Sequence, residues 1–501
     1  MWTFIEAETR ARSAEARRRN GGHVELWTLG RRAVLVLSLL LVSGCSLLGE
    51  SEAEKRWHAL VESPEPAIPA PQVAQSVGPT EEEKDIQRKP LLGLLDCTRL
   101  AVIRSERLHA EAERVHQADL GTVAAVSALS PTAAWDFTYF RQRPNVPFSE
   151  GGVKNQQQEQ RFLLDQPVFR GFSDWFAIAA AADQVEVNEA RLRAAKLDVA
   201  LSCGKAFYAV AALERTVETL VHSLKLEDDR LAEVKAREDN GLARKTERLF
   251  IEADRARTEA ELAAARHNLT GARAELGYFT GVPDAVLDAQ REPPRPLELD
   301  HYMEGVDARP DIAVLAHQVE LDRHNIWVAR GGFLPTIDVL SDLYANRDGT
   351  NTNTWWDMSV VLNWPIWEGG KTFAASRVAE SHAREDERNY ADGVRHARTE
   401  IASAYQALLA SLDQIPALET RVRASEENVK LLDQEYRAGI ASNLEAVDAE
   451  NTRRQANLDL ERELYDARSL ELQLRAASGD ETLAPGAYPP SAGDVEPPRK
   501  K

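Results

Sequence analysis

Two carboxylates, Glu445 and Asp448, stand three residues apart in the stretch SNLEAVDAE, a spacing that puts both on one face of a helix. With no base or nucleophile beside them they make no catalytic dyad. Copies arranged around an axis would instead turn each into a ring that gathers cations and repels anions. Glu247, in KTERLF, holds the matching place in an earlier segment. A local explanation competes for Glu445, because Ser442-Asn443-Leu444-Glu445 reads as a capping box and the helix dipole favours acids in a first turn. Asp448 has no such local duty. Elsewhere the chemistry-bearing residues do not converge. The eleven histidines are dispersed, and His317 and His324 are seven apart without the carboxylate–His spacing of a metal site. Neither a Gly-rich phosphate loop, a nucleophile elbow nor a CxxC pair occurs. The expectation is a protein that is no enzyme, with no catalytic residue, metal or cofactor.

Of the three cysteines, Cys45 has the most telling surroundings. Arg31 and Arg32 precede an apolar run from Ala33 to Val42, which is too short to span a bilayer but suits the core of a secretory signal. Its ending, LVSGC, resembles the lipobox of bacterial lipoproteins, which would make Cys45 the acylated (palmitate-bearing) first residue of the mature chain. Ser46 fits the rule for sorting to the outer membrane. Residues 1–44 are thus read as signal peptide. Because residues 1–23 are polar and Arg-rich, the true start is expected downstream of Met1, which N-terminal sequencing of the precursor tests. Cys97 and Cys203 are expected as buried thiols.

The elements that must position the carboxylates come in duplicate. DQPVFRGF at Asp165–Phe172 is echoed by NWPIWEGG at Asn363–Gly370, and Pro365 follows Pro167 by 198 residues. The same offset carries Glu247, Glu252 and Arg255 onto Glu445, Glu450 and Arg453, and Leu276 onto Leu474, so roughly 110 residues keep register. Upstream, Pro131 and Pro335 differ by 204, which places a length change in the loop between. After each Gly punctuation a helical pattern runs for about 100 Å, stops at Gly241 or Gly439, and returns. Helices are predicted over 173–238, 244–279, 371–437 and 442–478. Pro416 interrupts the third, so a kink or break is predicted near Leu412.

Before the punctuation the period changes to two. Trp356, Met358, Val360, Leu362 and Trp364 share one face of WWDMSVVLNW, opposite Asp357, Ser359 and Asn363. Ile337, Val339 and Leu343 alternate with Asp338 and Asp342, and Trp135, Phe137 and Tyr139 with Asp136 and Thr138. A weaker strand carries Phe162 and Leu164, with Gln158 and Gln160 in the outward places. Strands are predicted over 131–140, 159–168, 335–345 and 354–366. An apolar face with aromatic ends suits a membrane strand, with Trp135, Phe137, Tyr139, Trp356 and Trp364 as the lipid-facing girdle. Asp136, Asp338, Asp342 and Asp357 would then line the other face. Soluble amphipathic strands would show the same alternation. Four strands cannot close a barrel alone, and lipid tolerates no open edge, so a membrane role demands oligomerisation.

RPDI at Arg309–Ile312, FLPT at Phe333–Thr336, WPIWEGGK, YRAGIAS and the twofold repeat, taken in order, resemble the TolC-like outer-membrane efflux protein family over about residues 86–480. The resemblance implies a mainly α fold with a small β part: a homotrimer whose twelve-stranded membrane β-barrel continues into a periplasmic α-helical barrel. It also implies a passive exit duct in the outer membrane of a Gram-negative bacterium, exporting small molecules, metals or proteins with a periplasmic adaptor (membrane fusion protein) and an inner-membrane transporter. Asp448, Glu445 and Glu247 would sit at the periplasmic aperture. Tyr436 matches a gating tyrosine, although Ala441 stands where a basic partner is found in the family. Gly241, Leu242 and Ala243, with Gly439, Ile440 and Ala441, mark the hairpin tips where an adaptor docks. The local reading of those tips is helix capping, with Leu242 and Ile440 packing back. The competing function is a lipid-anchored periplasmic coiled-coil adaptor, which normally has one hairpin rather than two.

A net charge of -19 with no basic patch argues against a nucleic-acid partner. The remaining divisions are a Pro-rich tether over 45–85, a first repeat over 86–281, a linker over 282–308, a second repeat over 309–479 and a disordered tail over 480–501.

Overall fold

A computed structural model describes residues 81–141, 156–347, 354–438 and 440–485, all within the compact unit Ile68–Lys501. The expectations for the signal peptide, Cys45, Gly439 and residues 486–501 lie outside the described residues.

The chain enters through three helices, α1 (Glu81–Gln87), α2 (Leu94–Arg104) and α3 (Glu106–Ser127). Ser105 separates the last two, its hydroxyl accepting from the Leu108 N–H as an N-cap. Strands β1 (Thr132–Arg141) and β2 (Gln156–Arg170) lead into α4 (Ser173–Asp239) and α5 (Lys245–Thr280). After the short α6 (Leu299–Met303), the order recurs as α7 (Pro310–Gly331), β3 (Thr336–Arg347), β4 (Trp356–Asn363), α8 (Lys371–Arg437) and α9 (Asn443–Ala477). The strands form one antiparallel sheet in the order β1-β2-β3-β4, so β1 and β4 are its edges.

Each long helix is held by a seam rather than by a wide face. On α8, Ala397, Ile401, Ala404, Leu408, Ser411 and Ile415 are buried at alternating steps of four and three, followed by Val422 and Ser425. That period of 3.5 is the coiled-coil one, and Ala456, Leu460, Leu464 and Ala467 of α9 supply the facing residues. This seam bears on the expectation at Pro416, of which the break does not occur. The α8 helix runs unbroken from Lys371 to Arg437 because Pro416 points to solvent while Ile415 beside it is buried against α9. The first repeat's core is broader, since α2 and α3 pack on α4: Leu100, Leu108, Val199, Cys203, Phe207 and Leu276 are all buried there, joined by Tyr465 and Leu472 of α9. Cys97 and Cys203 are free, buried thiols in that cluster.

Two connective expectations need amending. Within 282–308, Leu287 bridges Leu92 in a short parallel pairing, and Val306 is buried. The expected disordered tail is ordered at its start: Asp480 caps a 3-10 turn at Glu481–Leu483, and Leu483 and Ala484 are buried in the first repeat's core. An apolar Leu-Ala pair beside an exposed groove is reason enough for the chain to stay down.

The duplicated punctuation makes the turn from sheet to helix. Gly369 and Gly370 both have positive φ (64° and 87°), and β4 ends just before them at Asn363, ahead of Pro365. In the first repeat Gly171 has φ 61°, and Phe172, where the second repeat has glycine, also has φ 61°. A left-handed non-Gly residue costs about 1–2 kcal/mol. The Phe172 ring recovers part of this by packing edge-on to Phe169 at 5.0 Å. A Cβ on Gly171 would meet the Gly331 carbonyl oxygen at 2.3 Å, so the end of α7 presses directly on this turn.

Candidate functional site

Both long hairpins end in the same backbone device. At the first tip Gly241 takes φ 75°, its N–H donates to Glu238 O (2.9 Å), and the Leu242 N–H donates to Arg237 O (2.8 Å). At the second, the Ile440 N–H donates to Glu435 O (2.9 Å). These are Schellman-type ends, which satisfy the last carbonyls of a helix. The expected back-packing does not occur. Leu242 is 72% and Ile440 78% exposed, so each tip holds out an apolar side chain that folding of the chain does not use. Ala243 departs from its tip neighbours, being half-buried against Val234, Ile251 and Val447. Ala441 is also half-buried.

The carboxylates proposed for an aperture separate into two kinds. Glu445 is spent on its helix: Ser442 donates to its Oε2 from the backbone N–H (2.7 Å) and the hydroxyl (2.8 Å), while the Glu445 N–H donates back to Ser442 Oγ. The Ser442 backbone bond, then its hydroxyl, hold the Glu445 carboxyl below its ordinary value. Glu247 repeats the arrangement by accepting from the Arg244 N–H at 3.3 Å. Asp448 is exposed and has neither hydrogen bond nor ion pair among the described residues. Of the three, it is the carboxylate that no described partner engages.

Tyr436 does not reach solvent freely in this chain. It is buried, with the guanidiniums of Arg230 and Arg237 from α4 at 5.2 and 4.9 Å from its ring centre. Burial pushes its phenol up, against the pull of Arg237. The cations that face it therefore come from the first repeat, where sequence comparison along the second repeat finds only Ala441. Below it lies a contact that sequence reading missed. Arg454 of α9, 5% exposed, donates to Glu227 of α4 (2.9 Å) and Thr258 of α5 (2.6 Å), and Thr258 donates to Glu227 (2.8 Å). Burial raises the Glu227 carboxyl above its ordinary value, opposed by Thr258 and then Arg454. The signal available was the repeat offset itself, since Ala256 and Ser425 stand at the duplicate places of Arg454 and Glu227.

The sheet divides its residues by face. Register places Trp135 opposite Phe162, Phe162 opposite Leu343, and Leu343 opposite Trp356. One apolar row therefore crosses all four strands, and Ile337 with Leu362 and Val339 with Val360 extend the face. Trp135, Phe137, Tyr139, Trp356, Met358, Val360 and Leu362 are all more than 45% exposed on it. Trp364 is exposed too, but it lies just past β4 and its Nε1 donates to Phe333 O (3.3 Å). Among the described residues no helix is long and apolar enough to cross a membrane. The acids of the opposite face are not bare, as sequence suggested. Asp136 and Asp342 pair with Arg161, Asp338 with Arg170, and Asp357 with Arg347.

Residues 306–480 match the family described as outer membrane efflux protein. Over 409 residues, 77% of this chain and 84% of the relative, the sequence is 22% identical to alkaline protease secretion protein AprF of Pseudomonas aeruginosa. Cation efflux system protein CusC of Escherichia coli K12 is 28% identical over 254 residues, covering 48% of this chain and 54% of CusC. Among solved structures, the outer membrane protein VceC of Vibrio cholerae aligns with a TM-score of 0.68 at 19% identity, over 77% of this chain and 96% of VceC. The CmeC outer membrane channel of Campylobacter jejuni gives 0.70 at 15% identity, over 83% and 94%. At these identities the structural likeness establishes the fold.

Proposed function

We propose that this chain, whose residues 306–480 match the outer membrane efflux protein family, is a member of that family and the outer-membrane exit duct of a tripartite export assembly, working as a homotrimer. The observation that carries this is the sheet: a face with an apolar row across all four strands, an opposite charged face, and two unpaired edges, β1 and β4. Lipid would accept such a face but not such edges. Strand directions alternate through the four, so β4 of one copy meets β1 of the next antiparallel, and three copies close a twelve-stranded barrel without a mismatch.

The junctions beneath the sheet support the same closure. In the first repeat the turn at Gly171 is covered by the end of α7, and Ala180 is 8% exposed. At the duplicate turn, Gly369 and Gly370 meet nothing, Ile366 and Trp367 are 86% and 84% exposed, and Val378, the counterpart of Ala180, is 55% exposed. A surface that the first repeat buries within the chain is left by the second for a neighbouring copy.

Within the assembly, Cys45 is the site of lipid attachment, the exposed Leu242 and Ile440 contact a periplasmic adaptor, and Asp448 lines the aperture through which cargo arrives from an inner-membrane transporter. The duct conducts passively and performs no turnover. The test is fractionation followed by reconstitution: heat-modifiable trimers in outer-membrane fractions, with conductance in planar bilayers, are expected. A soluble monomer after removal of the acyl chain would overturn the proposal in favour of an adaptor.

A further inference from the structure

We propose that Arg161 is the selectivity-setting residue of the passage at the level of the sheet, a proposal that rests on the reading of the chain as a duct. Arg161 lies mid-strand in β2 on the charged face, with carboxylates from three strands around it. Asp136 of β1 is its direct cross-strand partner, at 3.2 Å from Nη2. Glu159, two residues back on the same strand and face, is 3.8 Å from Nε. Asp342 of β3, diagonally across, is 3.7 Å from Nη1. One guanidinium, with donors on all three nitrogens, thus faces three acids at once.

The need for it is visible in the register. Asp342 of β3 stands directly opposite Asp357 of β4, a pairing of like charges that destabilises a sheet. Arg161 takes Asp342 from one side, and Arg347, 3.8 Å from Asp357, takes the other. Asp357 is further fixed by the Tyr344 hydroxyl, which donates to its Oδ2 at 3.1 Å. The Arg161 side chain is 33% exposed, so its charge still acts on the space in front of the sheet. On the opposite face its strand neighbours are Gln160 and Phe162, neither of them charged.

Without Arg161 the same surface would present Asp136, Glu159 and Asp342 uncompensated, with a stronger preference for cations. With it, one of the three negative charges is offset, so the passage is less selective for cations than these carboxylates alone would make it.

The experiment is the reversal potential of single trimers in planar bilayers under a KCl gradient. In Arg161→Gln the potassium-to-chloride permeability ratio should rise about three- to fivefold at ~0.1 M salt and converge on wild type toward ~1 M, as expected for charges facing water. Arg161→Lys keeps the charge and should keep the wild-type ratio. Asp136→Asn, which leaves Arg161 less compensated, should lower the ratio. An unchanged ratio in Arg161→Gln overturns the proposal. Should that variant fail to insert, Asp136→Asn decides: no change there also overturns it. Absence of any conductance in the wild type is a different result, and removes the duct reading itself.

Discussion

Replacing Arg454 by methionine is the perturbation whose consequences follow most fully from the structure. Arg454 is 5% exposed and its ion-pair partner Glu227 has a side chain 14% exposed, so neither charge is relieved by solvent. Glu227 Oε2 already has no hydrogen-bond partner. Removing the cation leaves a buried carboxylate held only by Thr258, which should cost about 3–5 kcal/mol at neutral pH. The loss carries a pH signature. Burial already raises the Glu227 carboxyl, and Arg454 is one of the groups that oppose this. In Arg454→Met the folded-state value climbs further, and the folded chain holds a proton that the unfolded chain, with an ordinary value of ~4.3, releases. Folding then takes up a proton. The variant should lose stability as pH rises through the folded-state value and regain it as pH falls toward ~4.3, by up to about 1.4 kcal/mol per pH unit. The double variant Glu227→Gln/Arg454→Met removes both charges and should recover most of the loss, with little dependence on pH. Guanidinium unfolding followed by circular dichroism in detergent at pH 5.5, 7 and 8 measures all three. Equal destabilisation of Arg454→Met at every pH, or a loss below about 1 kcal/mol, would refute the reasoning.

The other expectations are more local. Asp448→Asn should reduce cation preference in bilayers, whereas Glu445→Gln should leave selectivity alone and loosen the first turn of α9, read as faster amide exchange there. Because Glu445 is depressed in the fold, its contribution is present above ~4.3 and lost as pH falls through the folded value. Gly171→Ala introduces a Cβ against the Gly331 carbonyl at a positive φ, and should lower thermal stability by about 3–4 kcal/mol; a loss near 1 kcal/mol would mean the turn is less tightly covered. The Cys97 thiol, pushed up to about 12 by burial and then by Asp96, should resist maleimide at pH 8 until the chain is unfolded. Leu242→Ser with Ile440→Ser should leave trimer stability unchanged and abolish co-purification with a cross-linked adaptor.

Much of the fold was legible because its periods are long and duplicated. Helix positions with a 3.5 spacing, strand positions alternating by two, and glycine at each turn all survive in one sequence, and the 198-residue offset made each half a control on the other. Pro416 misled because a propensity argument sees one residue, whereas a seam from Ala397 to Val422 fixes the helix on both sides of it. Leu483 was lost in a polar tail for the converse reason: one apolar residue has no period, and its burial depends on a groove made by distant segments. Helices α2 and α3 are not among those predicted from the sequence, and Ser105 between them is a cap in an otherwise helical run.

For the site, the limit was partnership rather than identity. Asp136, Asp342 and Asp357 were placed on one face by alternation, yet alternation does not reveal that Arg161 and Arg347 share the face and pair with them. Tyr436 and Arg454 raise the same point in a sharper form. Their partners, Arg230, Arg237 and Glu227, all lie in the first repeat, and the duplicate places carry Glu238 for Tyr436, Ala256 for Arg454 and Ser425 for Glu227. A duplicated chain keeps its internal seams alike, because each half must fold on the same pattern. Where the halves meet each other, a contact needs two different residues, and the repeat breaks on both sides at once. Paired departures from a repeat therefore locate the cross-repeat contacts, and here they converge beneath the tips, where Arg454, Thr258 and Glu227 tie three helices of the two hairpins together.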